Sequence, residues 1–132
     1  MKIVVDANII MSAYIKPDSK IGQLLFSKKY DFYAPRFMLA ELKTHQKKYL
    51  KYATTPNTIR AINKQITFVS DSEIPIELAK KSYKIMKDID ENDAPFLELS
   101  YHLNCKIWTG DKRFHEGLLK KGIKRTILTR LL

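Results

Sequence analysis

The stretch IVVDANII at residues 3–10 decides the fold of this chain. Residues 3–5 are apolar and β-branched, which is typical of a short strand buried on both faces of a parallel sheet. Asp6 follows this strand directly, and a helical stretch is predicted at residues 9–14. A buried strand that ends on an acid and leads into a helix predicts the first unit of an α/β sheet, with Asp6 at the carboxyl end of the strand.

The same alternation of strand and helix continues along the chain. Further strands are predicted at residues 32–34, 66–69, 106–109 and 126–128, with helices at 21–28, 36–52, from 56, at 75–87, at 92–103 and before Gly122. Pro95 supports a helix that begins near residue 92, because proline is tolerated in a first turn. The pattern predicts an α/β fold, a central five-stranded parallel sheet flanked by helices on both faces, as a single domain over residues 1–132.

Composition and charge narrow the function. The chain has 24 Lys and Arg against 14 Asp and Glu, a formal net charge of +10, which favours a polyanionic partner such as nucleic acid or an acidic protein. Cys105 is the only cysteine, so a thiolate zinc site is excluded and a reducing cytoplasm is favoured. No segment is long and apolar enough to span a membrane, and Asp6 and Asn8 interrupt the apolar residues 1–14, whereas a signal peptide needs an unbroken apolar stretch. We therefore expect a cytoplasmic protein.

Acidic residues occur where several predicted strands end. Asp6 follows the first strand, Asp111 follows the fourth, and Glu41 lies about one turn into the helix after the second. Asp90 and Asp93 lie in the loop and first turn before the helix of residues 92–103. Ligands of such sheets bind beyond the carboxyl ends of the strands, so these acids can face one edge. Gathered carboxylates repel one another unless a cation compensates, and all-oxygen ligands suit Mg²⁺ or Mn²⁺, which can activate water for phosphodiester hydrolysis.

Each acid also has an ordinary structural interpretation. Asp111 can cap the helix after it, and Asp90 or Asp93 can favour the positive end of a helix. Glu41 can be a solvated helix charge, and Asp6 can be a turn former. Their combined order and their positions at strand ends favour a shared metal site.

These motifs, taken in order, resemble those of the PIN domain, the nuclease fold of the VapC-like toxins. The resemblance rests on the opening strand with DAN at residues 6–8, on DENDA at 90–94, on TGD at 109–111 and on Glu41, and it covers essentially the whole chain. It implies a five-stranded parallel sheet and Mg²⁺- or Mn²⁺-dependent endonucleolytic cleavage of RNA. It also implies a homodimer and, often, a cognate antitoxin protein.

The resemblance implies a role for each acid. Asp6 and Asp93 would bind the metal directly, Asp111 directly or through water, and Glu41 would hold or activate a water. Asp90 would be a further ligand, although some relatives need only one acid of its pair. The other expected site residues are two orienting hydrogen-bond partners, Asn8 and Thr109, and four RNA contacts, Lys112, Arg113, Lys43 and Lys47. The first two can also be plain turn and strand-end residues, and the basic residues of the helix after Glu41 can be a solvated face.

Other enzyme classes fit the sequence less well. A phosphatase of the haloacid dehalogenase type needs an acid two residues after Asp6, where this chain has Asn8. A phosphoacceptor domain built on Asp71 needs a lysine after the fifth strand, and a dinucleotide-binding enzyme needs a glycine-rich loop after the first. Two alternatives stay open: an RNA- or protein-binding scaffold with little catalysis, and an RNA-processing nuclease that is not a toxin.

Overall fold

The computed structural model describes residues 1–50 and 54–132, without the side chains of residues 45–47, 49 and 50. Its five strands are β1 (Lys2–Val5), β2 (Asp31–Pro35), β3 (Ile66–Val69), β4 (Lys106–Trp108) and β5 (Thr126–Ile127). The α-helices of this described part are α1 (Ala7–Ile15), α2 (Lys20–Phe26), α3 (Met38–Leu50), α4 (Pro56–Lys64), α5 (Ile76–Met86), α6 (Ala94–Leu103) and α7 (Lys112–Lys120).

The five strands form one parallel sheet in the order β3-β2-β1-β4-β5. The chain builds outward from β1 to β2 and β3 on one side, and then returns to place β4 and β5 on the other. The strand order therefore reverses between β1 and β4, where Val5 is in register with Trp108. Such a reversal leaves a crevice at the carboxyl ends of the two strands, which is the usual ligand site of an open parallel sheet.

The core lies on both faces of the sheet. Ile3, Val4 and Val5 are all buried although successive strand residues point to opposite faces. Trp108 at the end of β4 is fully buried against Phe32, with ring centroids 5.7 Å apart. A sheet that is covered on both faces by helices is the predicted architecture, and this prediction is confirmed.

The predicted elements are present, with shifts at several ends. The helix predicted at residues 21–28 ends at Phe26, because Ser27 takes extended backbone angles. The helix predicted at 36–52 begins at Met38 and is described to Leu50, and residues 51 and 52 lie outside the described residues. Gly122 follows α7 with a φ of +74°, a conformation that glycine adopts readily. No helix in the described ranges has the length and apolar character needed to cross a bilayer.

Candidate active site

Asp6 is a buried carboxylate at the carboxyl end of β1, only 4% exposed. Its Oδ1 accepts a hydrogen bond from the Ile9 backbone N–H at 3.0 Å, so the residue caps the N-terminus of α1. Its Oδ2 accepts a hydrogen bond from the Thr109 hydroxyl. Both carboxylate oxygens are therefore held in place, and the structural and functional interpretations of Asp6 are compatible.

Thr109 joins Asp6 to the second acid of this edge, Asp111. The fully buried Thr109 side chain donates to Asp6, and its oxygen accepts from the Asp111 backbone N–H at 3.0 Å. Asp111 in turn caps α7, with its Oδ1 accepting from the backbone N–H groups of Arg113 at 2.9 Å and Phe114 at 3.4 Å. One hydroxyl thus ties together the residues that follow β1 and β4 at the crevice.

Asp90 and Asp93 enter from the loop between α5 and α6. Asp90 accepts from the Asn92 backbone N–H at 3.1 Å and caps a 3₁₀ turn, Glu91–Asp93, that precedes α6. Asp93 is half-buried, and its side chain makes no capping hydrogen bond. No hydrogen bond of its side chain is found among residues 1–50 and 54–132, although the residue stands at the N-terminus of α6, where a helix favours an acid.

The five acids interact most strongly at Asp93. Burial raises its pKa most, and the negative charges of Asp90, Asp6, Asp111 and Glu41 add to this in that order, so that together they raise it from 3.8 to about 7. Like charges disfavour the ionised form of a carboxyl group. The structure therefore brings the other four predicted acids within electrostatic reach of Asp93.

None of these five acids forms an ion pair with a basic residue in the described part of the chain. Burial raises the pKa of Asp6 from 3.8 to about 6, against the lowering effect of its hydrogen bonds from Thr109 and Ile9. The ion pairs found among the described residues join the N-terminus to Asp31 and Lys121 to Asp88, and neither includes one of these five acids. Two carboxyl groups with raised pKa and no paired cation indicate a site that favours a bound cation.

Comparison with known proteins places this fold in a family. A model of the PIN domain matches residues 4–131. The chain belongs to the PIN domain family. It is also 31% identical over 117 residues to an uncharacterized protein of Methanocaldococcus jannaschii, in a match that covers 85% of this chain and 72% of that protein. PIN domains are typically nucleases that use divalent metals such as Mg²⁺, and the predicted family and fold are confirmed.

The donors of this PIN domain suit a hard divalent cation. The five side chains offer only carboxylate oxygens, which Mg²⁺ and Mn²⁺ prefer. No three His, Cys, Asp or Glu side chains of the described residues lie close enough together to hold a metal ion by themselves. Mg²⁺ usually binds through one or two carboxylates and keeps several waters. Acids that are not gathered into a group of three therefore suit Mg²⁺ better than an ion that needs every ligand from the protein.

The structure describes the remaining predicted site residues to different extents. Lys112 and Arg113 are exposed in the first turn of α7, directly after Asp111. Asn8 is exposed, and no hydrogen bond of its side chain is found in the described chain, so its orienting role stays a prediction. Lys43 is exposed on α3. Lys47 belongs to α3, but its side chain lies outside the described residues, as do those of the neighbouring residues 45, 46, 49 and 50.

Sequence reasoning missed Gly117, which positions the loop of Asp90. A Cβ atom at Gly117 would lie 2.9 Å from Cγ2 of Ile89, which is buried and directly precedes Asp90. The missing side chain lets this loop approach α7 closely. The sequence does carry a signal, because an isolated glycine inside a predicted helix often has a packing reason.

Proposed function

We propose that this PIN domain is a Mg²⁺- or Mn²⁺-dependent endoribonuclease that hydrolyses RNA phosphodiester bonds. The observation that carries the proposal is Asp93, a half-buried acid whose side chain makes no hydrogen bond in the described chain and whose pKa is about 7. An acid in this setting destabilises the protein when it ionises unless a cation neutralises the cluster. Metal binding gives a reason for an arrangement that folding alone does not favour.

In this proposal the acids divide the work of holding the metal. Asp6 and Asp93 bind it directly, and Asp111 and Asp90 bind directly or through water. When bound, such an ion lowers the pKa of a water and stabilises the charge that develops on the phosphate oxygens. Thr109 keeps the Asp6 carboxylate oriented through its hydroxyl, which is the supporting contact that metal ligands need.

Glu41 is the acid suited to proton transfer. Its side chain is exposed near the start of α3, and it forms no ion pair with the described residues. We assign to its carboxylate the task of orienting the attacking water and accepting its proton. A general base must be able to reach the water from which it takes a proton, and an exposed side chain meets this condition.

Basic residues beside the acids bind the substrate. Lys112 and Arg113 follow Asp111 directly and are exposed, so they can contact the phosphates next to the scissile bond. Lys43 is two residues beyond Glu41, and residues two apart do not share a helix face, so its contact lies further from the scissile phosphate. The formal net charge of +10 attracts RNA over a longer range.

The proposal extends to the biological setting. The motifs that resemble those of VapC-like toxins support a toxin, paired with a cognate antitoxin protein, that acts as a homodimer in the cytoplasm. A short reading frame directly upstream of the gene would be the expected sign of the antitoxin. Light scattering that gives twice the mass of the chain would be the expected sign of the dimer. Cells whose growth is unaffected when this protein is expressed would favour an RNA-processing nuclease over a toxin.

One observation favours a second candidate, a binding scaffold with little catalysis. The described acids do not form a compact group of three metal ligands, as they would in a site that binds its ion tightly. A scaffold would bind RNA or protein without a metal requirement. Calorimetry that detects no Mn²⁺ binding, together with intact RNA after long incubation, would favour it.

The proposed nuclease is tested by incubating RNA with the wild type, Asp93→Asn and Asp18→Asn. Asp18 is exposed and carries the matched control, because it lies outside the acid cluster. We expect cleavage by the wild type and the control with Mg²⁺ or Mn²⁺, and none with a chelator. Loss of a metal ligand should slow Asp93→Asn by about 100-fold or more, at the upper end of what supporting residues cost. Equal cleavage by all three proteins, or cleavage without metal, would contradict the proposal.

A further inference from the structure

A basic cleft lies at the end of the sheet opposite to the acids. Its volume is about 520 Å³, and its lining includes Tyr101, Lys106, Lys124 and Arg125. We call these residues, together with Lys81 above the Tyr101 ring, the basic cleft. Lys106 begins β4 and Arg125 directly precedes β5, so the cleft is at the amino ends of these strands. None of the described residues that line it is acidic.

Arg125 is held rigidly in this cleft. Its Cζ lies 4.2 Å from the centroid of the Tyr101 ring. Its Nη1 donates to the Ser100 carbonyl, the Ser100 hydroxyl and the Cys105 carbonyl, each at 3.4 Å. These long bonds use one of the three guanidinium nitrogens, and the other two have no acceptor in the described ranges 1–50 and 54–132. A fixed guanidinium with unused donors is prepared for a planar or bidentate oxyanion.

The charge around Arg125 is strongly positive. The Lys81 Nζ of α5 also lies 4.2 Å from the centroid of the Tyr101 ring, and Lys106 and Lys124 are exposed. None of these four cations forms an ion pair with a described acid. The carboxyl ends of α6 and α7 oppose them with about half a negative charge each. Four positive side chains outweigh that effect about fourfold, so the cleft favours an anion.

We propose that the basic cleft is a second anion-binding site that holds a backbone phosphate of the RNA whose scissile bond lies at the acids. The inference rests on the proposed function, because the substrate it names is RNA. Lys106 and Asp111 are five residues apart along one strand and its extension, which spans roughly 16 Å at 3.3 Å per residue. The phosphate in the cleft is therefore several nucleotides away from the cleaved bond, and long RNA should bind more tightly than a short oligonucleotide.

The test measures RNA binding without cleavage, in the Asp93→Asn background and with a chelator. Fluorescence anisotropy with a long single-stranded RNA compares the double variant Lys106→Glu/Lys124→Glu with the control Lys16→Glu/Lys20→Glu, whose lysines are exposed outside the cleft. We expect the cleft variant to bind about 10-fold or more weakly than the control, with a salt dependence shallower by about 0.7 per lost phosphate contact. Arg125→Lys, which keeps the charge but not the fork, should fall between them.

Several results would overturn the inference. Equal affinity of the cleft variant and the control would exclude the cleft as an RNA contact, while metal-dependent cleavage by the wild type would leave the proposed function intact. Poly-glutamate that competes as well as RNA for the cleft would assign this surface to an acidic protein. RNA that fails to bind any of these proteins would also overturn the inference, and cleavage by the wild type with metal would then decide the proposed function separately. Circular dichroism would show that each variant is folded.

Discussion

Replacing Asp93 with Asn should stabilise the metal-free protein at high pH and leave it unchanged at low pH. The pKa of Asp93 is raised from 3.8 to about 7 by burial and by four neighbouring acids. The folded state then binds more protons than the unfolded state between these values, so the free energy of unfolding falls as pH rises from about 4 to about 7. Below that range the carboxyl is neutral in both states and costs nothing.

The size of the effect follows from the difference between the two pKa values. About three units correspond to roughly 4 kcal/mol at 1.36 kcal/mol per unit. Asp93 is only half-buried and remains partly screened by solvent, so we take about half, roughly 2 kcal/mol. For a domain of this size, 1 kcal/mol changes Tm by about 4 °C, which predicts a rise of roughly 8 °C for Asp93→Asn at pH 8.

Thermal unfolding in a chelator at pH 4 and pH 8, followed by circular dichroism, measures this prediction. Asp18→Asn is the matched control and should leave Tm unchanged at both pH values, because Asp18 is exposed. A lower Tm for Asp93→Asn at pH 8, or an equal change at both pH values, would refute the reasoning. Excess Mg²⁺ at pH 8 should reverse the order by stabilising the wild type and not the variant.

Three further substitutions test single contacts. Thr109→Val removes the hydroxyl that donates to Asp6, so the free energy of unfolding measured in urea should fall by about 1–3 kcal/mol. Mn²⁺ binding should weaken by about 10–100-fold, and unchanged Mn²⁺ affinity would contradict this. Gly117→Ala places a methyl group against Ile89, so it should lower the free energy of unfolding by about 1–2 kcal/mol and slow RNA cleavage. If adding Ile89→Val to this variant does not restore activity, the contact is not the cause. Ser82→Ala removes a buried hydroxyl that has no partner in the described chain, so the free energy of unfolding measured in urea should rise by about 1 kcal/mol. A fall would show that the hydroxyl is satisfied.

The fold could be predicted because its main signals are local. The β-branched run at residues 3–5 and the apolar run at 66–69 indicate strands, and this can be recognised without knowing which strands they pair with. The strand order was not predicted, because pairing β1 with both β2 and β4 depends on contacts between residues far apart in the chain. Helix ends were also harder, since Ser27 leaves helical geometry in a stretch whose spacing continues the pattern.

The candidate site shows the same division between local and distant information. An acid directly after a strand, such as Asp6, can be recognised from sequence. The difference between Asp90 and Asp93 cannot, because the Asp90 side chain caps a turn while the half-buried Asp93 side chain makes no hydrogen bond in the described chain. The hydrogen bond of Thr109 to Asp6 joins residues 103 positions apart, so only the folded sheet reveals it.

Mn²⁺ binding measured by calorimetry at pH 6.5 tests the central claim, a divalent metal site built on these acids, most directly. Asp93, with a pKa of about 7, and Asp6, with a pKa of about 6, both hold part of a proton at this pH. Binding should therefore be saturable and release roughly one proton, seen as heat that varies with the buffer, because metal ligands must be deprotonated. We predict this for the wild type and for Asp18→Asn, with affinity lower by about 100-fold or more for Asp93→Asn. No saturable binding by the wild type, or equal binding by Asp93→Asn, would contradict the account.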